Sequence, residues 1–162
     1  MTTTDEVRWL TADQLHAWVG LLAVAELLPA ALDSQLRREA NLTHFDYQVL
    51  AMLSEAPGRC LRMTTLALRT SATLPRLSHV VERLEARGLV ERTPNPDDAR
   101  ANDAHLTAEG WTTLVAAAPG HVRTARALVI DALTDEQVAQ LEAITTALLT
   151  RLDPEDRLAR RS

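Results

Sequence analysis

Within twelve residues the chain sets Thr73, Pro75, Arg76, Ser78 and His79 among the apolar positions Leu77, Val80, Val81 and Leu84. The apolar set recurs every three or four residues, so it forms the inward stripe of a helix and turns the polar set outward. A structural helix needs only the stripe. The outward groups are donors of the kind that reads nucleic acid: a guanidinium can grip guanine O6 and N7 with two parallel hydrogen bonds, and hydroxyl and imidazole groups can reach bases or phosphates. No nucleophile elbow, phosphate loop or dinucleotide fingerprint accompanies them, and the scattered Asp and Glu fit helix faces better than an acid–base pair. The chemistry is recognition, not catalysis. Histidines 16, 44, 79, 105 and 121 lack metal-ligand spacing, so no metal and no cofactor is expected.

Charge supports this reading only locally. The net charge is −5, yet between Arg62 and His105 seven arginines face six acids, a net of +1 that leaves −6 for the rest. The 46% hydrophobic and 24% charged shares are those of a globular chain, and 3% aromatics point to a helical core of Leu, Ala and Val. One cysteine, Cys60, excludes an internal disulfide and fits a reducing bacterial cytoplasm. "MTTTDEVRW" lacks the apolar region of a signal peptide, and the apolar run "WVGLLAVAELLPAAL" is short and holds Glu26 and Pro29, so no membrane partner is expected.

The positioning elements follow from periodicity and caps. Thr11 and Gln14 make a capping box for a long first helix, from Asp13 to about Arg38, which Pro29 is expected to kink. A second helix covers about 44–55 and ends at "APGR"; a third covers about 64–69. "TSAT" is a turn, Thr73 caps the fourth helix, Pro75 suits its first turn, and Gly88 ends it. "LVERT" and "DAHLT" then read as two short strands around the polar tip "PNPDDARAN". Thr107 caps a fifth helix, bent at Pro119 and Gly120 and reaching about Leu133, and Thr134 with Gln137 opens a sixth. The charged tail "PEDRLARRS" is expected to fray. The fold class is mainly α with a small β-hairpin wing: a winged helix-turn-helix unit at 41–107, flanked by dimerisation helices at 1–40 and 108–162.

"LTHFDYQVLAML", "HVVERLEARGLVERTPNPDDARANDAHLTAEG" and "PGHV" resemble segments of the MarR family of transcriptional regulators, and the likeness runs from about Leu15 to Leu152. The family's wing motif, Asp-x-Arg, stands here as Asp98-Ala99-Arg100. The resemblance implies a homodimer on a pseudo-palindromic double-stranded DNA operator, a repressor released by a small ligand. It implies that Arg100 enters a minor groove while Asp98 holds the wing by salt bridges. Arg83, further along the fourth helix, joins the candidate DNA contacts. Two departures matter: Ala99 stands where a second basic residue is common, and Thr65 and Leu68 stand where acids are common in the third helix. Phosphate contacts there rest on Thr64, Thr65 and Arg69.

Relatives bind phenolic or lipophilic acids between dimer helices and DNA-binding lobe; His16, Trp18, His44 and Tyr47 fall on the matching segments and would suit an aromatic anion, with core packing the competing role for Trp18 and Tyr47. Some relatives sense peroxides through a cysteine in the first helix region. Cys60 lies elsewhere, beside Arg59 and Arg62, whose charges could lower its pKa, but an ordinary structural thiol is the favoured reading. Two alternatives stay open: a redox-sensing regulator acting through Cys60, and a helical interaction protein that never touches DNA.

Overall fold

The computed structural model describes residues 7–154; the expectation of a frayed tail falls, but for Pro154, outside them. The order is α1 (Ala12–Ala40), α2 (His44–Glu55), β1 (Cys60–Arg62), α3 (Met63–Arg69), α4 (Leu74–Ala86), β2 (Val90–Asn95), β3 (Asp98–Leu106), α5 (Ala108–Leu128) and α6 (Asp135–Leu152). Thr11, Thr43 and Thr134 each accept from the backbone N–H three residues on, and Gln14, Asp46 and Gln137 answer with their side chains, so three helices start on full capping boxes. Gly88, at φ 69°, turns the chain out of α4 in a conformation that disfavours side chains.

The core is one cluster built on α2, α3 and α4, closed by β2, β3 and the C-terminal end of α1: Leu36, Val49, Leu50, Leu53, Leu66, Leu77, Val81 and Leu84 have no accessible surface. Gly110 lets α5 lean on this lobe, because a Cβ there would lie 2.0 Å from the Leu89 carbonyl oxygen.

Three expectations are corrected. The hairpin is longer than two short strands around an open tip. The ladder runs through Pro94 opposite Asn102 and ends at Asn95 opposite Asp98, with a bulge between. Asn95 makes this possible: its Nδ2 donates to both Asp103 carboxylate oxygens (3.0 and 2.9 Å) and its Oδ1 accepts from the Asp97 N–H at 3.0 Å. A third strand, β1, pairs antiparallel with β3 and gives the order β1-β3-β2; three residues carry no legible alternation. Last, α5, which carries Pro119 and Gly120 inside it, stops at Leu128, before a 3-10 turn at Ile130–Ala132, and does not reach Leu133 as one helix. Pro29 lies inside α1.

Outside the lobe the picture changes. Residues 12–27 of α1 are exposed throughout, α6 buries nothing, and Leu15, Trp18, Val19, Leu22, Ile144 and Leu148 face outward. As a 29-residue helix, α1 is long and apolar enough to cross a bilayer, so, against expectation, length does not argue against a span. Its Leu32, Gln35 and Leu36 are instead buried, Leu36 in the lobe's core and Gln35 beside Gly120 of α5.

Candidate nucleic-acid interface

The turn between α3 and α4 is fixed from within. Thr70 is buried and returns its hydroxyl to the Leu66 carbonyl at 2.8 Å, Ser71 takes a left-handed φ of 50°, and Thr73 Oγ1 accepts from the Arg76 N–H at 3.4 Å. This presents α4 as expected: Leu77, Val80, Val81 and Leu84 point in, Pro75, Arg76 and His79 are exposed, and Ser78 is half-buried. Thr73 is thereby committed to the cap. On α3, Thr64 is exposed, while Thr65 and Arg69 are half-buried.

Three arginines of α4 and its C-cap reach back toward α1 and α2. The Arg76 guanidinium carbon lies 4.4 Å from the centre of the Phe45 ring, an Arg83 terminal nitrogen lies 2.5 Å from Asp46 Oδ1, and Arg87 donates to the Asn41 carbonyl at 2.9 Å. Asp46 is buried and also accepts from the Thr43 N–H at 2.8 Å, so the structure gives Arg83 an internal partner that the sequence did not reveal.

The wing is tied down by a contact that no spacing announced. Asp98 takes Arg62 of β1 on Oδ2 at 2.5 Å and the Arg100 N–H on Oδ1 at 3.1 Å. Thirty-six residues separate Arg62 from Asp98, and only the β1–β3 pairing brings them together. Arg92 is fixed in turn by Glu85 of α4, at 2.9 Å from Nε and 3.1 Å from its backbone N–H, and Arg92 holds the Glu85 carboxyl below its usual range. Between α4 and wing lies a cleft of about 350 Å³ whose walls include Thr64, Ser78, Asp98 and Arg100. The Arg100 side chain is exposed.

The four ligand candidates divide into two places. His44 and Tyr47 meet His121 of α5, with imidazole centres 6.0 Å apart and Tyr47 4.3 Å from His121. His121 was legible in "PGHV" only as part of a resemblance; its helical register on α5 was the signal that could have placed it. Both Nδ1 atoms of the pair are buried without a hydrogen-bond partner. Burial pushes both imidazoles down from their ordinary pKa; Asp33 partly offsets this at His44, and His44 adds to it at His121. Burial also pushes the Tyr47 phenol up, with Glu55 acting in the same direction. His16 and Trp18 are elsewhere, on the exposed half of α1, where His16 lines a shallow apolar groove with Leu15 and Val19. A single chain does not unite the four.

Cys60 does not have the environment expected of a reactive thiol. Arg59 stacks on Trp111 at 4.0 Å and Arg62 is taken by Asp98, so neither cation serves it. Burial, and secondarily Asp103, push the thiol pKa up, and Sγ lies 3.6 Å from His105 Nε2, which also meets the Thr93 hydroxyl at 2.9 Å.

The sequence model of the MarR family matches residues 40–101, from the end of α1 to the wing. Over the whole fold, the crystal structure of Sco3205 from Streptomyces coelicolor, a MarR family transcriptional regulator in complex with DNA, is similar at a TM-score of 0.87 and 44% identity, covering 94% of this chain and 96% of that one. The chain belongs to the MarR family. The regulator HosA of Escherichia coli is 31% identical over 69% of this chain and 75% of its own length. Against HosA of Escherichia coli O111:H- the identity is 38%, over 49% of this chain and 57% of that relative, so this match spans little more than half of it. MarR-family membership makes this a transcriptional regulator and not an enzyme.

Proposed function

We propose that the chain is a sequence-specific DNA-binding regulator that acts as a homodimer on a pseudo-palindromic operator, with α4 in the major groove and the wing at the adjacent minor groove. The observation that carries this is the cleft in which Thr64 and Ser78 face Arg100 of a wing braced by Asp98 and Arg62, with Arg76 and His79 exposed on the same helix α4. Ser78, Pro75 and Thr64 complete the surface, with Thr65 and Arg69 as lesser phosphate contacts. Sco3205, the relative with the high TM-score, is described with DNA bound, which supports the same use here. The homodimer rests on the apolar faces of α1 and α6, which one lobe leaves uncovered. A DNA regulator of this kind works in the bacterial cytoplasm, on the nucleoid when bound.

Repression relieved by a small aromatic or lipophilic anion is the regulatory part of the proposal. His44, Tyr47 and His121 sit where α2, leading into the DNA-binding lobe, meets α5. A ligand that prefers the DNA-incompetent arrangement lowers operator affinity by its differential affinity for the two states and no more. The test is fluorescence polarisation on duplexes from the DNA flanking the gene, against random duplexes of equal length, with and without a panel of aromatic acids. Equal affinity for all duplexes sinks sequence-specific binding. Unchanged melting and DNA affinity across the panel sinks the effector.

A further inference from the structure

Residues 45 and 46 are neighbours on α2, and each holds one arginine of α4: Phe45 lies under Arg76, and Asp46 pairs with Arg83. The two arginines are seven positions apart, two helical turns, and so lie on similar faces of α4. What differs is the chemistry of the hold. A carboxylate takes guanidinium N–H groups, so the donors it engages are withdrawn from any other partner. An aromatic ring attracts the cation through its negative face and offers no oxygen or nitrogen acceptor, so it does not claim the N–H donors as a carboxylate does. Arg76 is thus fixed in place with its fork unspent. Phe45 is the chain's one phenylalanine, half-buried, one side packed on the lobe core and one face under the guanidinium.

We infer that Phe45 is a positioning residue for base recognition: its ring pre-sets the Arg76 guanidinium so that Arg76, and not Arg83, sets the preferred base pair in each half-site. This rests on the DNA-binding reading. Without the ring, a free arginine would lose rotamer freedom on docking, and holding it beforehand removes that loss. The effect belongs to the base-reading arginine alone, so it changes operator affinity and leaves random DNA alone.

The test uses the full chain and a duplex selected by it from a random pool, with base preferences read by competition. Arg76→Ala is expected to lose on the order of tenfold per half-site and the preference at one base pair. Phe45→Leu should lose roughly two- to fivefold per half-site, the range of one exposed cation–π contact, with random-duplex affinity unchanged. Phe45→Met, of similar bulk and without a π face, should match it, and Phe45→Trp should restore both affinity and preference. Adding Phe45→Leu to Arg76→Ala should cost nothing further. If Phe45→Leu and Phe45→Met keep operator affinity and preference while Arg76→Ala loses them, Phe45 does not position Arg76 and the DNA reading stands. If they weaken operator and random duplexes alike, or Phe45→Trp fails to rescue, the ring acts only in the core and the inference is overturned. If Arg76→Ala itself binds as the parent does, base reading by Arg76 fails, and this inference with it.

Discussion

The lobe formed by α2–α4 and the sheet meets its own needs, whereas the N-terminal half of α1 and the whole of α6 do not. In the lobe the apolar side chains are covered except for Leu68 and Leu74, and the carboxylates of Asp46, Glu85 and Asp98 have arginine partners. Along α1 and α6 the caps are complete but apolar side chains are bare: Trp18 is 50% exposed and Ile144 57%. Local signals build a helix in either region; only long-range packing says whether the chain alone can bury it. A well-capped helix with a bare apolar face therefore calls for a covering surface, which the proposed dimer would supply.

The largest expected effect breaks the needy region. Ile144→Arg places an uncompensated charge on the α6 face proposed to be covered in the dimer, and should shift sedimentation at micromolar concentration from dimer to monomer while the helical signal persists. Operator affinity should fall by more than about 100-fold, because two half-sites are then no longer engaged as one event. The same charge at Glu82, exposed on α4, should leave the dimer intact. Sedimentation of the unsubstituted chain as a folded monomer would undo the comparison itself.

Next in size is a break inside the self-sufficient lobe. Arg83→Ala leaves the buried Asp46 carboxylate with the Thr43 N–H and without its cation, a loss of about 2–3 kcal/mol of stability for a charged hydrogen bond. Thermal melting should fall by several degrees, with operator affinity, measured well below the transition, within a few-fold of the parent. A stable variant that had lost more than tenfold in operator affinity would instead place Arg83 on DNA.

Legibility in the sequence followed the same divide between local and long-range physics. Caps and helical stripes were readable because they are written within four residues: Thr11 with Gln14, Thr73 before Pro75, Leu77 with Val80, Val81 and Leu84. The outward row of α4 was legible as the complement of that stripe. What stayed hidden depends on residues far apart in the chain. Arg62 meets Asp98 only through β1, Arg83 meets Asp46 only through the packing of α4 on α2, and His121 meets Tyr47 only through the register of α5. Asn95 made a strand end of what composition alone reads as loop. The alternative of a thiol activated at Cys60 fails for the same reason, since sequence neighbours Arg59 and Arg62 turn to Trp111 and Asp98.

A smaller effect lies at the joint between the two regions. His44 and His121 have pKa values lowered by burial, so near and below the ordinary 6.5 the unfolded chain binds protons that the folded chain refuses. Their contribution is complete above that value and is lost as pH falls through the folded values. The lowered carboxylates Asp33, Glu39 and Glu85 follow the same sign, but in a window below 3.8 to 4.5. Melting temperature should therefore decline between about pH 7 and 5, and His121→Gln should flatten that decline relative to the parent. An equal slope in parent and variant would remove the imidazole pair as its source.

The smallest expected effect concerns the wing, where brace and contact are separate side chains. Arg62 and Asp98 are 40% and 46% exposed, so their ion pair is worth only about 0–1 kcal/mol to stability and its loss should hardly move the melting temperature. Its value is in holding Arg100, whose backbone N–H the same carboxylate accepts. Arg100→Ala should weaken operator and random duplexes by similar factors and lower the salt dependence by about one phosphate contact per subunit, because a side chain at minor groove and backbone carries little base information. Asp98→Ala should give part of that loss, since Arg100 remains but is no longer held, and Arg62→Ala should resemble Asp98→Ala more than Arg100→Ala. Ala99 offers no neighbouring charge to take over. The measurement is affinity for both duplexes at several salt concentrations. If Arg62→Ala reproduces the full Arg100→Ala loss, Arg62 is itself a phosphate contact and not a brace; if Arg100→Ala leaves affinities and salt slope unchanged, the wing does not reach DNA.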